Sequence, residues 1–265
     1  MPPLDTTHAR GRTPTAQLPE EADAEPTGPR ALRRWTGVWL AASALLSVAG
    51  YVVLGTQFGW PDVLDEPGTS ALDAFVEAEV AARAGFTVFA FSSLVLVPAA
   101  LGLHQLLAPH TLASRTLAAF GVLAAFAQLL GWIRWPIAVP VLADRWQAAA
   151  GDETARAAVA ASYDVLNAYA GGALGEHLGW LLQGLWAVGV AVLLVRSTLV
   201  PRWCALIGVA LSAGWAVAVA VGTSVGVEAV EFWGLNLYAA WYVWLLGLGL
   251  LLLTRRPSTE IEAGA

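Results

Sequence analysis

Lysine is absent from the chain, and its 265 residues hold a single cysteine, Cys204, and a single methionine. One cysteine excludes an internal disulfide, and without a CxxC or Cys/His pair at ligand spacing there is no structural zinc site to expect. Charge of either sign is scarce. Asp, Glu and Arg together make up 13% of the residues, against roughly 25% in an ordinary soluble domain. With 57% hydrophobic residues and a mean hydropathy of +0.62, the chain has too little charge to wet a globular surface, so its class is integral membrane. A Walker loop and an HExxH pair are also missing. The net charge of −6 does not describe an acidic surface, because acids and arginines are segregated along the chain. Nucleic acid is not an expected partner, and no cofactor is implied.

What is present is a series of long apolar runs separated by punctuation. Residues 1–30 hold prolines, threonines and acids, with no apolar stretch long enough for a signal-peptide core, and read as a disordered cytoplasmic tail. Arg33 and Arg34 precede the first run, residues 35–58, long enough at ~1.5 Å per residue to cross a core of about 30 Å. Residues 60–68 break the chain with Pro61, Pro67 and Gly68, and Ser70 is the expected cap of the next helix. That helix begins amphipathic and acidic (Asp73, Glu77, Glu79), becomes apolar after Arg83 and crosses as far as 107, reading as one long helix. The third run covers 117–143, with Pro136 and Pro140 predicting a kink or broken end just after Arg134.

Residues 144–172 form the longest polar interval. Asp152 is the expected cap, Val159, Tyr163 and Leu166 recur at helical spacing, and Gly171-Gly172 is the expected end of a surface helix over the outer mouth. The fourth run is 173–195. After Arg196, Pro201 and Arg202, the fifth covers 204–221, and an acidic loop with Glu228 and Glu231 leads to the sixth, 233–253. Arginines 30, 33, 34, 115, 196, 202, 255 and 256 all fall on one side of this arrangement, and the two short loops on that side carry no acid. By the positive-inside rule that side is cytoplasmic and holds both termini. The expected fold class is therefore all-α integral membrane, a six-span transmembrane helical bundle with an outer-face amphipathic helix. Its transmembrane domain is 31–256, with a short cytoplasmic tail at 257–265. The Arg-only, Ala/Leu/Val/Gly-rich composition is that of a high-GC bacterial genome, which places it in a bacterial plasma membrane with the lipid bilayer as first partner.

Ionisable groups in or beside a span are costly and tend to mark sites. Arg134 interrupts the third run at its outer boundary, and Glu176 and His177 lie one turn into the fourth from the same side. An Arg134–Glu176 ion pair follows as an expectation, and Glu79, Arg83, Glu231 and Asn236 reach the same depth. Two readings stay open. One is an outward-opening pocket of Arg134, Glu176 and His177 walled by Trp132, Trp135, Trp180 and Trp241, binding a lipid headgroup or small polar ligand. The other is structural, with arginine and glutamate locking two helices and the tryptophans serving as belt anchors. Glu176 and His177 are adjacent and diverge by about 100° on a helix, so they do not share a metal. His104 and His110 read as interfacial. Gly121, Gly189, Gly208 and Gly247 read as close-packing sites.

Arg134-Trp135-Pro136 followed by Val139-Pro140-Val141-Leu142-Ala143, and Gly175-Glu176-His177-Leu178-Gly179 after the polar interval, resemble multi-span bacterial proteins, chiefly actinobacterial, grouped under a domain-of-unknown-function label. The resemblance covers about residues 35–253 and implies that Arg134, Glu176 and His177 form one unit, without implying an activity. The expected role is ligand or lipid binding at the outer cluster. The alternatives are an enzyme acting on a lipid or isoprenoid, with Glu176 or His177 as acid or base, and a small-molecule transporter.

Overall fold

The computed structural model describes the backbone of residues 28–225 and 228–254, and their side chains apart from 219–233 and 235. The expected tails at 1–27 and 255–265, with Arg255 and Arg256, lie outside the described residues, as do the side chains of Glu228 and Glu231. Among the described residues the regular structure is helix throughout. The helices are α1 (Pro29–Gln57), α2 (Gly68–Glu77), α3 (Glu79–Leu107), α4 (Leu112–Ile137), α5 (Val139–Ala148), α6 (Glu153–Leu166), α7 (Gly179–Val195), α8 (Arg202–Val225) and α9 (Glu228–Thr254). A 3-10 turn (Asp62–Leu64) follows α1, and a π-helical segment (Asn167–Leu178) joins α6 to α7.

Among the described residues, five helical stretches are long and apolar enough to cross a membrane: Pro29–Gln57, Glu79–Leu107, Leu112–Ala148, Glu153–Val195 and Asn236–Thr254. The chain is thus a transmembrane protein. Six long helices close a ring in the packing order α1, α3, α4, α7, α8, α9 and back to α1. The shorter helices α2, α5 and α6 pack on one another between the far ends of these, forming a cap at the end of the bundle away from residues 28 and 254. The interior accordingly divides in two. One cluster, built on Leu40, Leu96, Leu103, Trp186, Trp215, Trp241 and Leu248, fills the ring toward the terminal end. The other, built on Phe58, Leu72, Phe75, Phe86, Trp135, Val139 and Tyr163, joins the ring to the cap.

Local signals explain most of the boundaries. Asp152 caps α6 as expected, its carboxylate accepting from the Ala155 N–H at 2.9 Å, and the Thr111 hydroxyl accepts from Ser114 N at the start of α4. Pro136 and Pro140 fall on either side of the α4–α5 junction at Ala138. A proline at 140 withholds the N–H that would continue the α4 ladder.

Several expectations need correction. Ser70 does not cap α2, which starts at Gly68 after Pro67. The Gly68 N–H instead donates to the Asp164 carboxylate of α6 at 2.9 Å, a tertiary cap. The projecting helix is not continuous with the crossing one, because the backbone breaks at Ala78 (φ −114°, ψ 23°). That turn lets α2 lie in the cap and bury Leu72 and Phe75. Gly171-Gly172 does not end the surface helix, since helix runs through both into α7. Glu228 and Glu231 fall in α9, not in a loop. The tryptophans do not form a belt as a group: among the described ones, Trp135, Trp146, Trp186, Trp215, Trp241 and Trp244 are buried, Trp39, Trp60, Trp132 and Trp180 are half-buried, and only Trp35 and Trp203 are exposed. Gly121, Gly189 and Gly208 do meet neighbouring side chains closely, whereas nothing lies within 4 Å of a Cβ at Gly247.

Candidate functional site

Arg134 is 5% exposed, although it is a cation in an apolar run. Its Nη1 donates to the Gly131 carbonyl one turn back in α4. Its Nη2 donates at 2.8 Å to the Asn167 side-chain oxygen, and the Asn167 amide in turn donates at 3.2 Å to the Leu64 carbonyl. The guanidinium therefore ties α4 to the π segment and, through Asn167, to the turn after α1. Glu176 attracts it electrostatically, and its carbon lies 5.5 Å from the centre of the Trp135 ring.

The glycines of the π segment explain how the cation fits. Gly171 and Gly175 in that segment and Gly179 at the start of α7 recur every fourth residue, and each faces α4. A side chain at Gly171 would collide with the Arg134 guanidinium, a Cβ at Gly175 would sit 3.0 Å from the Gly131 Cα, and one at Gly179 would sit 2.9 Å from the Gln128 side chain. Gln128, Gly131 and Arg134 are spaced three apart on α4, so the two stripes run antiparallel, with backbone against backbone at Gly131 and Gly175 and the Gln128 and Arg134 side chains over the other two glycines. Small residues permit this approach, and that need accounts for a glycine at 171 that does not stop the helix, whereas a Cβ at Gly172 would meet nothing within 4 Å.

The remaining expected site residues separate. Trp135 is fully buried and stacks on Phe86 at 4.6 Å between ring centres, so it is core and not the wall of an open pocket. Glu176 is half-buried and His177 is exposed, as adjacent positions on a helix require. His177 therefore does not join Arg134 in one recess. Glu79 and Arg83 pair with each other at 2.9 Å on the exposed first turns of α3. At the terminal end His104 Nδ1 lies 2.8 Å from the Ser114 hydroxyl. Among the described residues no group of three His, Cys, Asp or Glu side chains is placed to hold a metal.

The open space lies elsewhere. A cavity of about 230 Å³ sits where the two core clusters part, lined by α1, α3, α4, α7, α9 and the turn at Trp60. Its walls are aromatic: Tyr51, Trp60, Phe89, Trp132, Trp180 and Tyr238. Trp132 and Trp180, expected to wall a pocket, do so here, but Arg134, Glu176 and His177 do not line it. Gln128, 2% exposed, lies at its base and donates to the fully buried Gln183, to whose oxygen the Tyr238 hydroxyl also donates at 2.8 Å. The Tyr242 hydroxyl is 3.1 Å from that of Tyr238. Two buried amides and two half-buried phenols thus form a hydrogen-bonded chain across α4, α7 and α9. The cavity is not sealed: Val48, Tyr51 and Val243 both line it and are 43%, 50% and 65% exposed. The gap they border lies between α1 and α9, on the side of the ring that faces lipid.

Gln128, Ser47, Tyr238 and Asn167 carry this geometry without having stood out in the sequence. The available signal was the presence of uncharged polar side chains in otherwise apolar runs, which tend to hydrogen-bond across helices. A literal G-x-S-x-G string at residues 222–226 carries nothing comparable. Helix continues through Val225, whereas a nucleophile elbow is a strand-to-helix turn.

Residues 35–255 match the family described as Domain of unknown function (DUF4386). The chain belongs to that family. No curated protein and no solved structure matches it.

Proposed function

We propose that this DUF4386 chain is a six-span protein of the bacterial plasma membrane that holds the end of an amphiphilic molecule, drawn from the surrounding hydrocarbon, in the aromatic cavity above Gln128 and Gln183. The observation that carries the reading is the lateral gap: apolar, lipid-facing residues of α1 and α9 border a cavity with a hydrogen-bonded polar base. Its size fits the end of a molecule. An apolar cavity of ~150 Å³ accepts benzene, while sites for whole drug-sized ligands start near 300 Å³. The rest of a longer ligand stays between α1 and α9. Below the polar base the packing closes on Leu96, Ala125, Trp186 and Leu245, which supports holding over passage. Glu176 and His177, the acid–base candidates, lie off the cavity, which supports binding over turnover. The sixth crossing in this reading is α8, and the arginines at the terminal end put both termini in the cytoplasm.

The test is native mass spectrometry of the wild type and Ala239→Trp in mild detergent. Ala239 lines the cavity and is exposed, so the indole plugs the gap without entering the core. A discrete amphiphile adduct in the wild type, lost in a variant of equal melting temperature, is the expected result. No adduct in either, across lipid extracts supplied in excess, refutes it.

A further inference from the structure

The hydrogen-bonding inventory of the same cavity specifies the ligand's polar end, an inference that rests on the binding reading above. Within the hydrogen-bonded chain, the Gln128 amide and the Tyr238 hydroxyl already donate to the Gln183 oxygen. Two lining groups are left over. The Ser47 hydroxyl, on a residue 4% exposed, and the Trp60 indole N–H are both buried without a hydrogen-bond partner. Both can donate. A buried donor left unmatched is costly, and among the described residues with such an atom, Gln183 and several core tryptophans included, Ser47 and Trp60 are the ones that line the cavity. An acceptor atom in the cavity is the direct one.

The charge of that acceptor follows from what surrounds it. Among the described residues no Asp, Glu, Arg or His lines the cavity. A phosphate or carboxylate there would be desolvated with no cation to compensate, which is expensive in a low-dielectric interior. A quaternary ammonium would find aromatic faces but would offer nothing to either unmatched donor. We infer that the site selects an amphiphile ending in an uncharged acceptor oxygen, such as a ketone, a quinone carbonyl or an alcohol.

The experiment titrates a set of 15-carbon prenyl probes into full-length protein in nanodiscs, with empty discs subtracted to remove partitioning into lipid. The probes end in a methyl ketone, a primary alcohol, a monophosphate, a trimethylammonium group or no polar group. The ketone and alcohol are expected to bind at least about 10-fold more tightly than the two charged probes. Ser47→Ala and Trp60→Phe, which keep the fold's packing, are each expected to weaken the ketone about 3- to 10-fold, the net value of one hydrogen bond. Neither should alter the hydrocarbon probe. A phosphate or ammonium probe binding as tightly as the ketone overturns the inference while leaving the cavity a ligand site. So does unchanged ketone affinity in both variants, which would mean that water satisfies the two donors. If every probe, hydrocarbon included, binds wild type and Ala239→Trp alike, the binding reading itself fails and this inference falls with it.

Discussion

Replacing glycine by alanine in a helix normally stabilises it, by about 1 kcal/mol from backbone propensity. Two glycines of this protein should respond with opposite signs. At Gly247 an added Cβ meets nothing within 4 Å, so only the propensity term acts and Gly247→Ala should raise the melting temperature. At Gly131 the Cβ would sit 2.7 Å from the Gly175 Cα, well inside ordinary van der Waals contact. The obstruction is backbone, so no rotamer change relieves it and α4 must move away from the π segment. Overpacking of this kind costs about 1–3 kcal/mol. Separation also stretches the Arg134–Asn167 hydrogen bond, which bridges the same two elements and, being made to a charged group, is worth about 1.5–3 kcal/mol. Net of propensity, Gly131→Ala should destabilise by roughly 2–4 kcal/mol, a fall of several degrees in a chain of this size. Parallel thermal melts of the wild type and both variants in one detergent read the contrast. Equal shifts, or a Gly131→Ala melting temperature at or above that of wild type, would show that α4 and the π segment do not touch backbone to backbone.

The Arg134 bridge predicts a coupled pair. Asn167→Ala should destabilise by about 1–3 kcal/mol, since a buried guanidinium loses its partner, and Arg134→Met should be less harmful in that background than alone. A double-mutant cycle on melting temperatures checks this, and additivity within ~0.5 kcal/mol rejects the coupling. Glu79→Gln, by contrast, breaks an ion pair whose side chains are about half exposed and should change stability by less than about 0.5 kcal/mol. A melt at low and high salt reads it, and a shift of several degrees would mean that Glu79 has a further role.

The candidate site was legible only in part. Arg134 announced itself as a charge inside an apolar run, and its depth relative to Glu176 followed from counting residues. Its principal hydrogen-bond partner did not, because Asn167 is 33 residues away and lies in a polar interval where an asparagine is unremarkable. The Gly171-Gly172 pair misled for a related reason: glycine serves both as a helix terminator and as a close-packing residue, and only the position of α4 shows that Gly171 is the second. Ser70 was a good local cap overridden by Asp164, which chain order separates from Gly68 by three helices. The tryptophans looked like interface anchors because they lie near the ends of apolar runs, yet the cap covers one end of the bundle and turns Trp135 and Trp146 into core.

The sequence by itself determined the membrane class, the placement of most crossing helices, the break at the paired prolines and the Asp152 cap. These depend on hydropathy and on backbone chemistry acting over a few residues, so one chain is enough to read them. The tertiary structure alone decided that six helices close a ring, that Arg134 is a strut facing Gly171, and that Gln128, Gln183 and Tyr238 meet under an aromatic cavity open between α1 and α9. Those facts depend on which faces of distant helices pack together, and runs that are apolar on every side carry too little periodicity to specify a face.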